Sequence, residues 1–342
     1  MISAAIFGCA GLELTADERD FFREVRPWGF ILFKRNIDSP TQVRRLVDGF
    51  REIVGHADAP VLIDQEGGRV QRLGPPHWPK YPAGRAYGRA SPDPVIRREL
   101  TRLGARLMAH DLRALGINVD AVPVLDVPQP GAHDIIGDRA YAEDPETIAV
   151  MGRAAAEGLI AGGVLPIIKH IPGHGRAGAD SHEALPVVSA SHAALQAVDF
   201  APFRALSDMP MAMTAHVVYE AIDKKRPATT SRRAISRVIR GEIGFSGLLM
   251  SDDISMKAMT GGFDERAREA LKAGCDVVLH CNGDMAEMQA VAKGAGRLKG
   301  GAKRRAEAAL QRVAKDPEPL DEAVARMRFA QAFGPETLLA AG

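Results

Sequence analysis

Residues 164–170 read VLPIIKH, an unbroken apolar run that ends in two basic side chains. A run this short, apolar on both faces, is a strand of a parallel sheet covered by helices. Seven further short apolar runs recur, several of them likewise continuous: Ile2 to Cys9, Trp28 to Phe33, Pro60 to Asp64, Val119 to Val127, Met211 to Val217, Gly247 to Asp252 and Asp276 to Cys281. Pro123 and Pro166 lack ladder donors, so bulges or early strand ends are expected there.

The intervening stretches carry helix-start signals. Thr15 and Glu18 fit a capping box, and Ser39-Pro40 places a cap before a residue suited to the first turn. Ser91-Pro92 repeats that device before a segment reaching Leu115, and Pro145 opens a helix through Ala161. Further helices are expected over 189–206, 231–241, 264–273 and 284–298. Gly/Pro-rich residues 74–88 read as a surface loop after strand three, and a second long loop runs from Gly173 to Pro186. Eight strand–helix units predict an α/β chain folded as a closed (β/α)8 TIM barrel. The expected organisation is one barrel domain over residues 1–342, with C-terminal helices at about 303–333 packed on the barrel. A doubly wound open sheet is the alternative.

Composition narrows the partners. The chain has 342 residues, 25% of them charged, with a formal net charge of +1. It has no concentrated Lys/Arg run interleaved with aromatics, so nucleic acid is not an expected partner. No apolar run reaches the roughly 18 residues that cross a bilayer. The N-terminus lacks a basic leader and reads as a buried strand rather than a signal peptide. Cys9, Cys275 and Cys281 show no Cys-x-x-Cys spacing, which fits a reducing compartment. A soluble cytoplasmic protein is expected, with no membrane and no obligate protein partner.

In a barrel, the segments after the strands form the active face. Asp64, Glu66, Arg69 and Arg72 follow strand three; Asp138, Arg139 and Asp144 follow strand four. Lys169 and His170 end strand five, before a loop with His174, Asp180 and His182. His216 lies at strand six, Ser251, Asp252 and Asp253 at strand seven, His280 and Asn282 at strand eight. Any one of these is equally a cap or a satisfied core residue; together they point to an enzyme with a polar ligand. DQEGGRVQR lacks Walker spacing and is a poor dinucleotide fingerprint. Gly67 and Gly68 instead turn the backbone around Asp64, whose carboxylate suits sugar hydroxyls, with Arg72 as a donor or as an internal partner.

Three motifs, IDQEGGRVQR (63–72), KHIPGHGRAGADSH (169–182) and GFSGLLMSDDISM (244–256), resemble those of bacterial β-N-acetylglucosaminidases of glycoside hydrolase family 3. The resemblance runs from the first strand to about residue 300. It implies a retaining exo-hydrolase that removes terminal N-acetylglucosamine from cytoplasmic peptidoglycan fragments, β-1,4-linked to 1,6-anhydro-N-acetylmuramic acid, during cell-wall recycling. It implies Asp252 as nucleophile, His182 as general acid/base and Asp180 as the residue that orients it. Lys169 and His170 then line the sugar pocket, with Arg139 in the loop after strand four and Asp64 and Arg72 as further substrate contacts. Asp253 is the alternative nucleophile, although in an extended strand it points away from Asp252. The commoner family pattern after that arginine is Ser-Phe, whereas this chain has Ala140-Tyr141. Met256 packs near the N-acetyl group or fills core. Gly173, Gly175 and Gly178 suit either a mobile loop or a tight static turn. No metal or cofactor is implied, since no His-Glu-x-x-His helix is present. The alternatives are a β-glucosidase of related fold and a sugar sensor without turnover.

Overall fold

Eight parallel strands close on themselves in chain order: β1 (Ser3–Phe7), β2 (Pro27–Leu32), β3 (Val61–Ile63), β4 (Val119–Asp120), β5 (Leu165–Ile171), β6 (Met211–Thr214), β7 (Leu248–Asp253) and β8 (Val277–His280), which pairs back with β1. This computed structural model describes residues 1–181, 183–313 and 316–338. The predicted barrel is thus the observed one, and the open sheet is excluded.

Alternation along the strands divides the core in two. Ile31, Leu62, Leu165, Ile167, Leu248, Met250, Val277 and Leu279 fill the barrel interior. Their neighbours Phe30, Leu32, Ile63, Ile168, Leu249 and Val278 pack outward under the helices. Both faces being apolar is what makes the runs continuous. Helix Gly300–Leu310 sets Ala306 and Ala309 against the interior cluster, while helix Glu322–Phe333 lies along helix Pro94–Arg113.

The two prolines behave differently. Regular β4 ends at Asp120, ahead of Pro123, as the missing donor requires. Pro166 stays inside β5. There Leu165 and Ile167 donate to the Asn118 and Val122 carbonyls that flank β4, and pairing with β6 begins only at Ile167, so the absent N–H meets no acceptor.

Thr15 forms the predicted capping box with Glu18; Ser39 caps helix Pro40–Val54, and Pro145 opens helix Pro145–Ala161 behind Asp144. The long helix after residue 91 starts two residues later than expected. Asp93 is its cap, accepting from the Val95 N–H at 2.8 Å, because the Ser91 hydroxyl is spent on the Asp93 N–H. The helix expected over 189–206 widens into a π turn at Leu195–Asp199 just before Pro202, which has no N–H for the i−4 carbonyl.

Residues 74–88 also depart from the expected surface loop. Trp78, Tyr81 and Tyr87 are buried, and Gly84–Arg89 forms a short helix. Gly84 and Gly88 lie so close to the strand-four loop that a Cβ would sit 2.2 Å from the Arg139 carbonyl oxygen and 1.9 Å from that of Tyr141. These glycines serve close backbone approach, not a solvent turn.

Candidate active site

The inward parity of β3 continues past the strand end: Leu62 faces the interior, and Asp64 and Glu66 follow on the same side. Gly67 and Gly68, at φ +92° and +57°, then turn a short hairpin of Gln65–Gly67 with Val70–Gln71. The turn returns Arg72 to Asp64, where Nη2 donates to Oδ2 at 3.0 Å. Lys169, inward on β5 behind Leu165 and Ile167, donates to Asp64 Oδ1 at 3.0 Å and lies 2.6 Å from Glu66 Oε1. Arg139 grips Glu66 bidentately, both contacts at 2.9 Å. Two carboxylates and three cations form one network, with Lys169 only 2% exposed.

Electrostatics fixes the ionisation of this floor. Burial pushes both carboxyls up, but the cations outweigh it. Lys169 and Arg72 hold Asp64 well below the usual carboxylate range, and Arg139 with Lys169 holds Glu66 at about 2. Burial works against the Lys169 ammonium, and Asp64 and Glu66 overcome it, raising its pKa.

His170 is fixed from behind by Asp126. The Nδ1 to Oδ2 separation is 2.7 Å, and Asp126 Oδ1 accepts the backbone N–H groups of His170 and His174 at 3.2 and 2.6 Å. The carboxylate partner makes Nδ1 the protonated nitrogen and turns Nε2 away from it. Burial, then His170, lowers His174 to about 4, so it is neutral near pH 7.

β7 keeps its parity from Leu248 through Met250 to Asp252, which is 8% exposed and lines the same cavity. Its Oδ1 accepts the Asp253 N–H at 2.8 Å. Asp253 is occupied differently: its carboxylate accepts from the Ser255 N–H, the Ser255 hydroxyl and the Cys281 N–H at 3.0, 2.6 and 3.2 Å. It shapes the turn after the strand.

The cavity measures about 350 Å³, enough for a sugar ring. It gathers Asp64, Arg72, Arg139, Lys169, His170 and Asp252 from the expected set, together with Glu66, Arg69, His174 and Asp253. Asp180 is half-buried on the strand-five loop, and its neighbour Ser181 lines the cavity. His182 lies outside the described residues. Met256 is a cavity residue rather than core, its sulfur 3.8 Å from the Ser181 hydroxyl. Ala140 points into a small cluster with Val124 and Ile136, so its missing hydroxyl is not on the cavity wall.

Other rim candidates do not join. His216 bonds the Thr229 hydroxyl and the Asp253 carbonyl; His280 meets Glu287; Asp144 caps a helix; Asp138 lies 3.5 Å from Arg69. Sequence reasoning passed over Asp126 and underweighted Glu66. The signal was present for both: Asp126 sits at the end of a barrel run as Asp64 does, and Glu66 shares the parity of Asp64.

The glycosyl hydrolase family 3 N-terminal domain matches residues 13–315. The chain belongs to glycosyl hydrolase family 3. It is therefore a glycoside hydrolase. It is 40% identical over 292 residues to a beta-hexosaminidase of Alkalilimnicola ehrlichii, covering 82% of this chain and 81% of that one. A family 3 beta-N-acetylglucosaminidase from Paenibacillus sp. FPU-7 superposes with a TM-score of 0.85 at 31% identity, over 96% of this chain and 67% of that one. NagZ from Neisseria gonorrhoeae, in complex with N-trifluoroacetyl-D-glucosamine, gives 0.79 at 30% identity, over 96% and 98%.

Proposed function

We propose that this glycoside hydrolase is a retaining exo-β-N-acetylglucosaminidase. Its substrates are cytoplasmic muropeptides in which N-acetylglucosamine is β-1,4-linked to 1,6-anhydro-N-acetylmuramic acid, with or without a peptide, and its place is peptidoglycan recycling. Residues 1–342 act as a single catalytic domain. The observation that carries the reading is the inward Asp252 carboxylate on the wall of a sugar-sized cavity whose floor is the Asp64–Lys169–Glu66 network. The hexosaminidase names of relatives covering four-fifths of the chain support the amino-sugar preference. Three buried, unpaired cysteines suit a reducing compartment, and among the described residues no helix is long and apolar enough to cross a membrane.

Asp64, Arg72, Arg139, Lys169 and His170 bind and orient the terminal sugar through its hydroxyls. Asp252 attacks the anomeric carbon, and a covalent glycosyl-enzyme forms as the glycosidic bond breaks. His182, oriented by Asp180, gives its proton to the departing oxygen. It then takes a proton from water as water displaces Asp252. Two inversions retain the β configuration. No cofactor enters these steps.

The test is incubation with the N-acetylglucosaminyl-anhydromuramyl disaccharide, followed by NMR at early times. Release of β-configured N-acetylglucosamine is expected; α-configured product rejects retention, and no cleavage rejects the substrate. Matched aryl β-glucoside and β-N-acetylglucosaminide substrates separate a glucosidase from the proposed activity.

A further inference from the structure

The loop leaving β5 has a root held in several ways. The Tyr219 hydroxyl donates to the Gly173 carbonyl at 2.6 Å, Asp126 accepts the His174 N–H, and Gln129 and His133 donate backbone N–H groups to the carbonyls of Gly175 and Ala177. Arg176 adds a side-chain tie: its Nε donates to Asp199 Oδ2 at 2.7 Å. The Asp199 side chain is fully buried, and its Oδ1 has no partner among the described residues. Gly173, at φ +132°, rests directly on it, with a Cβ there falling 2.9 Å from the Asp199 Cβ. Burial pushes the Asp199 carboxyl up to about 6, and Arg176 keeps it from rising further. Beyond it Gly178 is exposed, with nothing within 4 Å of its Cβ position; Asp180 follows two residues later, and the Ser181 carbonyl accepts the Ala258 N–H at 3.3 Å.

We propose that the Arg176–Asp199 pair is a positioning element for catalysis, fixing the loop root that leads to the proposed Asp180/His182 acid/base pair. The inference rests on the acid/base reading of those two residues. Asp199 ends a segment of the outer helical layer, so the pair ties the loop to the barrel rather than to itself. A half-satisfied buried carboxylate is unfavourable on its own, and an exposed pair elsewhere on the surface contributes little. Here the carboxylate holds one cation at the turn that leads into the acid/base segment.

The experiment measures kcat/KM of the parent, Arg176→Met, Arg176→Lys, Asp199→Asn and His182→Ala on two β-N-acetylglucosaminides. One carries 2,4-dinitrophenol, a leaving group that needs no proton; the other carries phenol, which does. Displacing the acid affects only the second. Arg176→Met and Asp199→Asn are expected to lose roughly tenfold on the phenyl substrate and little on the other, with Arg176→Lys recovering most of the loss. A merely structural pair lowers both substrates by one factor. That result, or no loss on either, overturns the proposal. His182→Ala is the reference: if it discriminates and the Arg176 and Asp199 variants do not, the positioning role alone has failed. If His182→Ala itself fails to discriminate, the acid/base reading falls and takes this inference with it.

Discussion

Lys169 and Asp180 belong to one strand–loop unit, eleven residues apart, and are held by different means. Lys169 is locked between Asp64 and Glu66, two carboxylates more than one hundred residues upstream. Asp180 is half-buried on a loop whose root is anchored by Arg176 to Asp199, with the exposed Gly178 between them. Charges fixed by one another cannot reorganise when a sugar arrives, which suits ground-state binding and a steady field at the reacting carbon. A segment with an exposed glycine between its root and its acid/base residues suits a proton donor that serves two successive steps at slightly different positions. Under the proposed mechanism, binding falls to the floor and proton transfer to the loop, with Asp252 as the reacting group.

Asp252→Asn tests the reacting group and carries the largest expected effect. Loss of the carboxylate at nearly constant volume should lower kcat by about 10⁴-fold or more, because the other groups have no nucleophile to assist. Substrate affinity, measured by calorimetry, should change little, since the floor is untouched. A trapped glycosyl adduct should map by mass spectrometry to Asp252; mapping to Asp253 rejects the assignment.

His182→Ala addresses the loop. A general acid/base contributes about 10²–10⁴-fold, and the loss should be greatest on poor leaving groups. On an activated aryl substrate, rapid-quench kinetics should show a burst, because the first step is spared and water attack is not. Equal single-turnover rates for both steps in parent and variant on a poor leaving group would end the acid/base assignment.

The two regions were not equally legible in the sequence. The barrel was, because a strand buried on both faces leaves a continuous apolar run, and eight such runs mark eight strands. Parity also carried Asp252 inward, but a register shift after Met250 sets Asp253 opposite the inward Leu279, so both acids line the cavity and only the Asp253 hydrogen bonds tell them apart. The floor was legible only as a set of residues. That Lys169 joins Asp64 to Glu66 follows from barrel closure, and no local spacing encodes a contact 105 residues long. Asp126 was missed because its partners, His170 and His174, arrive from the next strand. Residues 74–88 were misread because glycine signals a turn and a close backbone approach with the same letter.

Lys169→Met sharpens the contrast from the floor side. It leaves Asp64 and Glu66 buried without their shared cation, and breaking such a pair costs about 3–5 kcal/mol. Urea unfolding at pH 7 should show that loss. The pH dependence has a definite sign. Glu66 is lowered from its ordinary value near 4.5 to about 2, so its contribution is full above 4.5 and lost as pH falls towards 2. In the variant the carboxyls no longer have Lys169 to lower them, so stability between pH 7 and pH 3 should depend less on these two groups. A variant as stable as the parent at pH 7 would mean that the network is not what holds the floor.

Gly178→Ala is the smallest change and bears on the loop alone. Gly175 has no room for a side chain, since a Cβ would fall 2.0 Å from the Val127 carbonyl oxygen, so alanine there should destabilise the root. Gly178 differs in both respects that matter. Its Cβ position is open, and its φ is not in the left-handed region that favours glycine. Alanine should therefore leave folding stability unchanged or raise it by about 0.4–1 kcal/mol, through the lower entropy of the unfolded chain. If the segment beyond Arg176 must change conformation to bring His182 to the substrate, the same restriction should lower kcat on a poor leaving group while the Tm holds or rises. Unchanged turnover with unchanged or higher stability would show that Gly178 is not a pivot. The loop would then be held as statically as the floor, and the distinction between them would rest on chemistry alone.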